Sequence, residues 1–200
     1  MPSLDPPPWL QLFRVDRFFE PDLCRQLLDE MKAAAGAAAV VYGSSPSGAV
    51  DQNSRKTLRL HPSAEKIELV TRRLLDAQPD IEKYFDVQLS ECEDPQFLRY
   101  REGDFFVAHQ DGNTGLLRLD TERRRVSTVI FLSRESDVPK EDAHCGGSLV
   151  FTNLRGGPGD NRQFRMIAEP GTLIAFRSET THEVTPVTHG ERYSIVSWYK

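Results

Sequence analysis

From residue 87 onward, Gly, Pro, Asn, Asp and Ser cut the sequence into short apolar or alternating runs, and this two-residue period commits that part of the chain to β-structure. The runs fall at 87–89, 96–100, 105–109, 126–132, 148–152, 164–167, 172–176, 182–187 and 193–199. Eight or so strands separated by such turns read as a sandwich or barrel, because each strand has an apolar face that only a second layer can cover. Glu169-Pro170-Gly171 is a strong turn signal: Pro presets one central torsion and Gly accepts a positive one.

The first 86 residues carry a different period. Pro6, Pro7 and Pro8 stiffen the lead-in, residues 10–15 read as a first strand, and Phe18, Leu23, Leu27, Leu28 and Met31 recur at helical spacing around Pro21. The Ala-rich stretch 33–39 reads as the frayed end of that helix. Residues 43–53 are rich in Gly, Ser and Pro and read as a loop, with a strand at 55–60 leaving it. Ser63 is the expected N-cap of a second helix, with Ile67, Val70, Leu74 and Leu75 as its apolar stripe and Pro79 as its end. Both stripes read as core. The expected architecture is mainly β with flanking helices (α+β). It forms a single domain over residues 1–200, with 1–86 a mostly helical N-terminal support and 87–200 the β core.

A formal net charge of -5 gives no excess of positive charge to displace counterions, so neither nucleic acid nor an anionic membrane is an expected partner. Three scattered cysteines without a C-x-x-C pair indicate neither a disulfide framework nor a structural zinc site, and they fit a reducing compartment. The N-terminus has no basic or apolar leader and no stretch is long enough to span a bilayer, which reads as cytoplasmic. The oligomeric state is left open. Two basic clusters, Arg55-Lys56 and Arg123-Arg124-Arg125, read as solvated faces; recognition of an acidic substrate is the alternative. His61, His144 and His189 read as a helix-entry surface residue, a group without a coordination sphere, and a solvated turn residue.

The remaining polar signals converge on chemistry. His109-Gln110-Asp111 stands at the end of one run, His182 begins another, and Arg192-Tyr193-Ser194 opens the last. Alternation along a strand puts His109 and Asp111 on one face while Gln110 points away. Two imidazoles and one carboxylate are the facial set of a non-haem iron site, which leaves further positions for exchangeable ligands. Arg192 carries a permanent charge on a planar fork suited to a carboxylate, and Ser194 follows on the same face as a further hydrogen-bond donor. Ser127, Val129 and Phe131 share one strand face by the same alternation.

A longer string of residues has the same order as a known family. Tyr100, the His109/Asp111 pair, the run 126–132, Gly146-Gly147-Ser148-Leu149-Val150-Phe151 and Glu169-Pro170-Gly171 belong to it, as do His182 with Val184 and Pro186-Val187, then Gly190, Arg192 and Trp198. Over about residues 97–199 the chain resembles the iron(II)- and 2-oxoglutarate-dependent oxygenases, in their prolyl 4-hydroxylase-like branch. The resemblance implies a double-stranded β-helix (jelly roll) core packed by the N-terminal helices. It implies Fe(II) on His109, Asp111 and His182, with 2-oxoglutarate and O₂ as co-substrates, the distal carboxylate on Arg192, and ascorbate in support. Tyr100, Ser127, Val129, Phe131, Ser194 and Trp198 are the implied co-substrate pocket. The implied reaction is hydroxylation of an unactivated C–H bond, of a peptidyl (prolyl-type) or free amino acid or another small molecule, with release of succinate and CO₂. A carboxylate at position 111 implies hydroxylation rather than halogenation.

Two features depart from the family pattern. Phe131 stands where close relatives often have a tyrosine that helps hold the distal carboxylate, so Ser194 is expected to supply the missing hydroxyl. The insert 133–145 is acidic and expected to be mobile. Outside this class, the readings to weigh are a non-catalytic cupin-like module that binds or senses a ligand, and a hydrolase using zinc in the same ligands.

Overall fold

A computed structural model describes residues 5–39, 53–112, 123–153 and 162–200. The 43–53 loop, apart from Asn53, and most of the segment between Asp111 and Arg123 lie outside the described residues. In chain order the elements are β1 (Leu12–Val15), α1 (Pro21–Ala33), β2 (Gly36–Ala38), β3 (Arg55–Lys56), β4 (Leu58–Leu60), α2 (Ala64–Phe85), β5 (Gln96–Tyr100) and β6 (Phe105–His109). They continue with β7 (Val126–Phe131), β8 (Arg134–Glu135), β9 (Ala143–Gly146), β10 (Leu149–Thr152), β11 (Gln163–Arg165), β12 (Leu173–Arg177), β13 (His182–Val184), β14 (Val187–His189) and β15 (Arg192–Tyr199). The fold is mostly β.

Seven strands form the larger sheet in the order β1-β12-β7-β15-β5-β4-β2, and five form the facing one in the order β11-β10-β13-β6-β3. The larger sheet is apolar on both faces, which explains why β7 is buried along its whole length. On its inner face, Leu98, Tyr100, Val129, Phe131, Ile174 and Phe176 share a core with Leu149, Phe151 and Val184 of the facing sheet. On its outer face, Phe97, Ile130, Tyr193 and Ile195 share a second core with Leu27 and Met31 of α1 and with Val70, Leu74, Ile81 and Phe85 of α2. Burying each such side chain contributes roughly 1.5–3 kcal/mol, so both layers hold the central strands in place.

Several elements depart from the sequence expectation for local reasons. Helix α2 begins as expected, with the Ser63 hydroxyl accepting from Lys66 N–H, but it runs through Pro79 to an αL cap at Asp86. The carbonyl that Pro79 leaves without its helical partner is that of Leu75, a residue 49 % exposed, so water can reach it, while Ile81 and Phe85 extend the buried stripe. Residues 36–38 do not fray from α1; they form an edge strand paired with β4. Residues 87–89 are not a strand. Their backbone is tied to α2 instead: Val87 N–H donates to the Glu82 carbonyl, Leu89 N–H donates to the Glu82 carboxylate, and the Gln78 amide donates to the Leu89 carbonyl.

The run 182–187 splits into β13 and β14 at Thr185-Pro186, because Pro lacks the N–H that a ladder needs. The insert 133–145 is ordered. β8 pairs in parallel with β9, and Arg165 neutralises Glu135 and Asp137. The N-terminal part is less purely helical than expected, since β1, β2 and β4 extend the larger sheet and β3 the facing one.

The turn at Glu169-Pro170-Gly171 closes as expected, with Thr172 N–H donating to the Glu169 carbonyl at 3.1 Å and Gly171 at φ 88°. It also docks the sheet on the start of α1: Phe19 N–H donates to the Gly171 carbonyl at 3.0 Å, and a Cβ on Gly171 would lie 2.3 Å from the Phe19 carbonyl oxygen. Gly171→Ala therefore combines left-handed backbone strain with a backbone clash. We expect it to destabilise the protein by roughly 2–4 kcal/mol, read as a shift of the urea unfolding midpoint; a loss under about 1 kcal/mol would contradict this account of the turn.

Candidate metal centre and anion pocket

His109 and His182 are far apart in sequence but directly opposed in the structure, because β6 and β13 pair antiparallel with these two residues in register. Opposed residues point to the same face, and the rings lie 4.3 Å apart between centroids. Asp111 follows β6 on a short segment held by its own N–H and that of Gly112, both donating to the Ser178 carbonyl at 2.9 and 3.0 Å. Gln110 points away and its amide donates to the Thr181 hydroxyl. One ligand atom from each of His109, Asp111 and His182 lies within 4.8 Å of the others, a span that suits one ion.

The protonation of the site supports the same conclusion. His109 Nδ1 is 2.8 Å from the Val107 carbonyl oxygen, and His182 Nδ1 is 2.9 Å from that of Thr180. A carbonyl only accepts, so both Nδ1 atoms carry the proton and both Nε2 atoms face inward, each 3.5 Å from a different Asp111 oxygen. Burial, and then the neighbouring His109 ring, push His182 down to about 4 against the pull of Asp111. At neutral pH its Nε2 is a lone pair. Burial works to raise the Asp111 carboxyl, but the two imidazoles and a hydrogen bond from the Trp198 side chain outweigh it and hold the group well below the usual carboxylate range. A neutral imidazole nitrogen facing a carboxylate with no proton between them is the arrangement a cation stabilises.

Aromatic side chains fix the imidazoles from behind. Phe106 stacks on His109 at 3.6 Å, and Phe176 meets His182 edge-on at 4.8 Å. Sequence reasoning missed these rings, and it missed the Val107 and Thr180 carbonyls, which no side-chain pattern announces. Arg55, expected on a solvated face or against a substrate, is buried with its guanidinium 4.7 Å above the Phe106 ring. Arg124, from the other basic cluster, is buried as well.

Arg192 sits on the inner face of β15, opposite Tyr100 across β5. It is only 3 % exposed, its Nη1–H donates to the Ser194 hydroxyl oxygen at 2.8 Å, and its guanidinium carbon lies 5.2 Å from the Tyr100 ring and 5.8 Å from that of Phe131. Burial lowers its pKa, Tyr100 and Glu135 offset part of that, and among the described residues no carboxylate pairs with it. The cross-strand register pairs Ser127 with Trp198, Val129 with Val196 and Phe131 with Ser194, so the expected pocket residues do share one wall. Two of them have other contacts. Ser127 Oγ meets Ser178 Oγ at 2.9 Å, and the Trp198 ring lies 3.7 Å from the Arg124 guanidinium carbon. His144, which the sequence left as a bystander, is buried, bonded to the Gly146 carbonyl, and within electrostatic reach of Arg192.

The metal-free protein should lose stability in acid through His182. Its folded value of about 4 lies below the ordinary 6.5, so between those pH values the unfolded chain takes up a proton that the folded chain refuses. The stabilisation is complete above pH 6.5 and declines toward pH 4 by about 1.4 kcal/mol per unit, on the order of 3 kcal/mol in all. Asp111 adds a loss of the same sign below its ordinary 3.8. Urea unfolding of wild type and His182→Gln in chelator, compared from pH 7 to 4, checks this: parallel profiles would refute it.

With the geometry in place, comparison with known proteins is specific. A family model described as the 2OG-Fe(II) oxygenase superfamily matches residues 95–200. The chain is 30% identical over 178 residues to a PKHD-type hydroxylase of Burkholderia ambifaria, covering 88% of this chain and 70% of the relative. It is 28% identical over 183 residues to a PKHD-type hydroxylase of Shewanella oneidensis, covering 87% and 73%. The structure resembles that of a Pseudomonas putida prolyl-4-hydroxylase with a TM-score of 0.65, at 22% identity over 96% of this chain and 92% of that one. A Trichoplax adhaerens prolyl hydroxylase, solved in complex with a peptide fragment of the hypoxia inducible factor oxygen degradation domain, gives 0.67 at 16% identity over 94% and 83%. At these identities the structural likeness establishes the fold, here that of a jelly roll. The chain belongs to the 2OG-Fe(II) oxygenase superfamily, where its curated relatives are PKHD-type hydroxylases, and is a 2-oxoglutarate-dependent hydroxylase.

Proposed function

We propose that His109, Asp111 and His182 hold a single Fe(II), that Arg192 takes the distal carboxylate of 2-oxoglutarate, and that the enzyme hydroxylates an unactivated C–H bond of a peptidyl, prolyl-type or free amino acid. The observation that carries this reading is the convergence of two inward Nε2 atoms on the Asp111 carboxylate beside a buried Arg192 that has no carboxylate partner among the described residues. The balance is one 2-oxoglutarate, one O₂ and one C–H bond giving succinate, CO₂ and one C–OH, with one oxygen atom in succinate and the other in the product. When bound, the iron supplies the oxidising chemistry.

The chain's own residues bind, orient and exclude water. The Nδ1–H contacts to backbone carbonyls keep both Nε2 atoms aimed inward before any ion arrives, so the rings need no reorientation. Arg192 offers a forked, permanently charged partner to an anion in a low-dielectric pocket, where such a contact is strong. Ser194 receives one Arg192 N–H, which leaves its own hydroxyl proton to donate where Phe131 cannot. The Tyr100 ring stands against the same guanidinium. Phe151, Phe176 and Val184 wall the space between the sheets with apolar surface and keep bulk water from the reacting groups.

The peptidyl arm draws on the peptide-bound Trichoplax relative and on the hydroxylase names of the curated relatives. We read the chain as one domain in which residues 1–86 brace the sheets and 87–200 carry the site, with ascorbate as a reductant that sustains turnover. Among the described residues no helix is long and apolar enough to cross a membrane, which is compatible with a cytoplasmic enzyme. Membership of an oxygenase family, together with Arg192, favours catalysis over a ligand-sensing module.

Succinate should form from 2-oxoglutarate with Fe(II) and O₂, at a low uncoupled rate without substrate and faster with the right peptide or amino acid. Asp111→Ala and His182→Ala should abolish it. Arg192→Ala should raise the KM for 2-oxoglutarate at least roughly tenfold, as expected for losing a charged hydrogen bond of about 1.5–3 kcal/mol, and Ser194→Ala by a smaller factor. Unchanged 2-oxoglutarate affinity in Ser194→Ala would rule out its role. No succinate with any peptide or amino acid, coupled or uncoupled, would overturn the reading itself.

A further inference from the structure

We infer that Ser178 is a positioning residue for Asp111 and His182, held in place by the hydroxyl of Ser127. The inference rests on the reading of Asp111 and His182 as metal ligands. Ser178 follows β12 in the turn that leads to β13, and Thr180 N–H closes that turn by donating to the Arg177 carbonyl at 2.8 Å. The turn reaches both parts of the site. The Ser178 carbonyl accepts from Asp111 N–H and Gly112 N–H at 2.9 and 3.0 Å, and the Thr180 carbonyl accepts from His182 Nδ1 at 2.9 Å. The Thr181 hydroxyl accepts from the Gln110 amide at 3.1 Å. One short stretch of chain therefore sets where Asp111 stands relative to His182.

Ser178 is the point at which this turn is tied down. Its N–H donates to the Arg125 carbonyl at 3.0 Å, and its Oγ lies 2.9 Å from the Ser127 Oγ, while its carbonyl holds the Asp111 segment. Ser127 is a firm anchor, because β7 has a partner on each side: Ser127 lies opposite Phe176 of β12 and opposite Trp198 of β15. Ser127 is 1 % exposed and Ser178 0 %, so water does not replace a lost partner at either hydroxyl. Among the described residues neither hydroxyl has another hydrogen-bond partner. The resemblance implied a place for Ser127 in the co-substrate pocket; its hydroxyl is instead engaged by the turn that carries the ligand contacts.

Packing leaves the Asp111 segment no other seat. A Cβ on Gly112 would lie 2.6 Å from the Arg124 carbonyl oxygen and 3.0 Å from the Ser178 Cβ, so the backbone here rests directly on the serine. A close-packed contact of this kind transmits displacement rather than absorbing it. Without the Ser127 tether the Ser178 carbonyl is free to tilt, and the two N–H groups bonded to it move with it. The Asp111 oxygens, each 3.5 Å from a different Nε2, then lose their setting against the imidazoles. The Thr180 carbonyl, two residues on in the same turn, carries the movement to the His182 ring. A metal site tolerates little of this, since its groups must stay within about 0.5 Å of the binding geometry.

The test is Co(II) binding to the metal-free protein under anaerobic conditions, with the visible absorption of the bound ion, in wild type, Ser127→Ala, Ser178→Ala and the double variant. Each single variant should weaken Co(II) binding by roughly tenfold, the low end of the range for losing a group that orients a ligand, and should shift the Co(II) band. The double variant should bind within about twofold of the single ones, because the two hydroxyls act as one device. Wild-type Co(II) affinity and spectrum in either single variant, even with a lowered melting temperature, would overturn the inference, as would losses that multiply in the double variant. If Ser127→Ala keeps its Co(II) affinity but raises the KM for 2-oxoglutarate, the hydroxyl belongs to the co-substrate pocket and the inference fails. Should Ser178→Ala not fold, Ser127→Ala, which leaves the turn's own sequence intact, is read alone on affinity and spectrum. Failure of the wild-type protein to bind Co(II) would overturn the metal reading itself, whereas wild-type binding with unchanged variants overturns only the role of Ser178.

Discussion

The pairing of β6 with β13 is the constraint on which the site depends. Only an antiparallel register that sets His109 opposite His182 brings their rings to 4.3 Å on one face. A slip of one residue would turn one imidazole to the other side of the sheet, since side chains alternate with a period of two. The register is held from both sides: β13 pairs with β10, and β6 pairs with β3 at Arg55 and Lys56. Arg55 over Phe106, and Phe106 on His109, carry that strand pairing directly to a candidate ligand. The short edge strand β3 is therefore part of the site's support, although it holds none of the ligands.

The same alternation divides β15 between binding and stability. Arg192 and Ser194 face inward to the proposed anion pocket, while Tyr193 and Ile195 face outward into the core shared with α1 and α2. Fixing one face fixes the other, because a strand packed on both sides cannot rotate without breaking both. This gives the N-terminal helices a physical route to the chemistry: they immobilise the backbone that presents the guanidinium. It also explains a permanently charged group that is 3 % exposed, since Ser194, the Tyr100 ring and the Phe131 ring replace part of its lost hydration.

What the sequence disclosed follows from which forces are local. Strand periods, the Ser63 cap and the Pro170-Gly171 turn depend on residues next to one another, and the structure has them close to where they were expected. His109, Asp111 and His182 stood out as candidate ligands because few other roles call for those residue types in that order, and the fold does bring the three together. The failures needed knowledge of distant neighbours. Pro79 ends a helix only if the carbonyl it orphans cannot be solvated, and Leu75 is open to water. The Ala-rich stretch after α1 becomes a strand because β4 offers it a partner. The carbonyls that set both histidine tautomers belong to Val107 and Thr180, whose side chains carry no trace of that role.

The basic clusters show most clearly how charge in a sequence misleads when read without the fold. In an acidic chain, runs such as Arg123-Arg124-Arg125 look like solvated faces, and that inference treats arginine as a charge alone. Arginine is also a flat, weakly hydrated surface that stacks on rings. Arg55 lies over Phe106, Arg73 over Phe18, Arg124 over Trp198, Arg177 over Phe85 and Arg192 over Tyr100. In each case the ring is a core or site residue, and the guanidinium covers it while keeping hydrogen bonds at its rim, as Arg73 does to the Phe18 carbonyl and Arg177 to that of Phe85. A lysine at these positions would bring a compact, strongly hydrated charge, with a desolvation cost that no ring face recovers in full. Arginine beside an apolar run in a two-sheet fold is therefore better read first as a cap on an aromatic ring, and as a binding surface only when no ring lies within its reach.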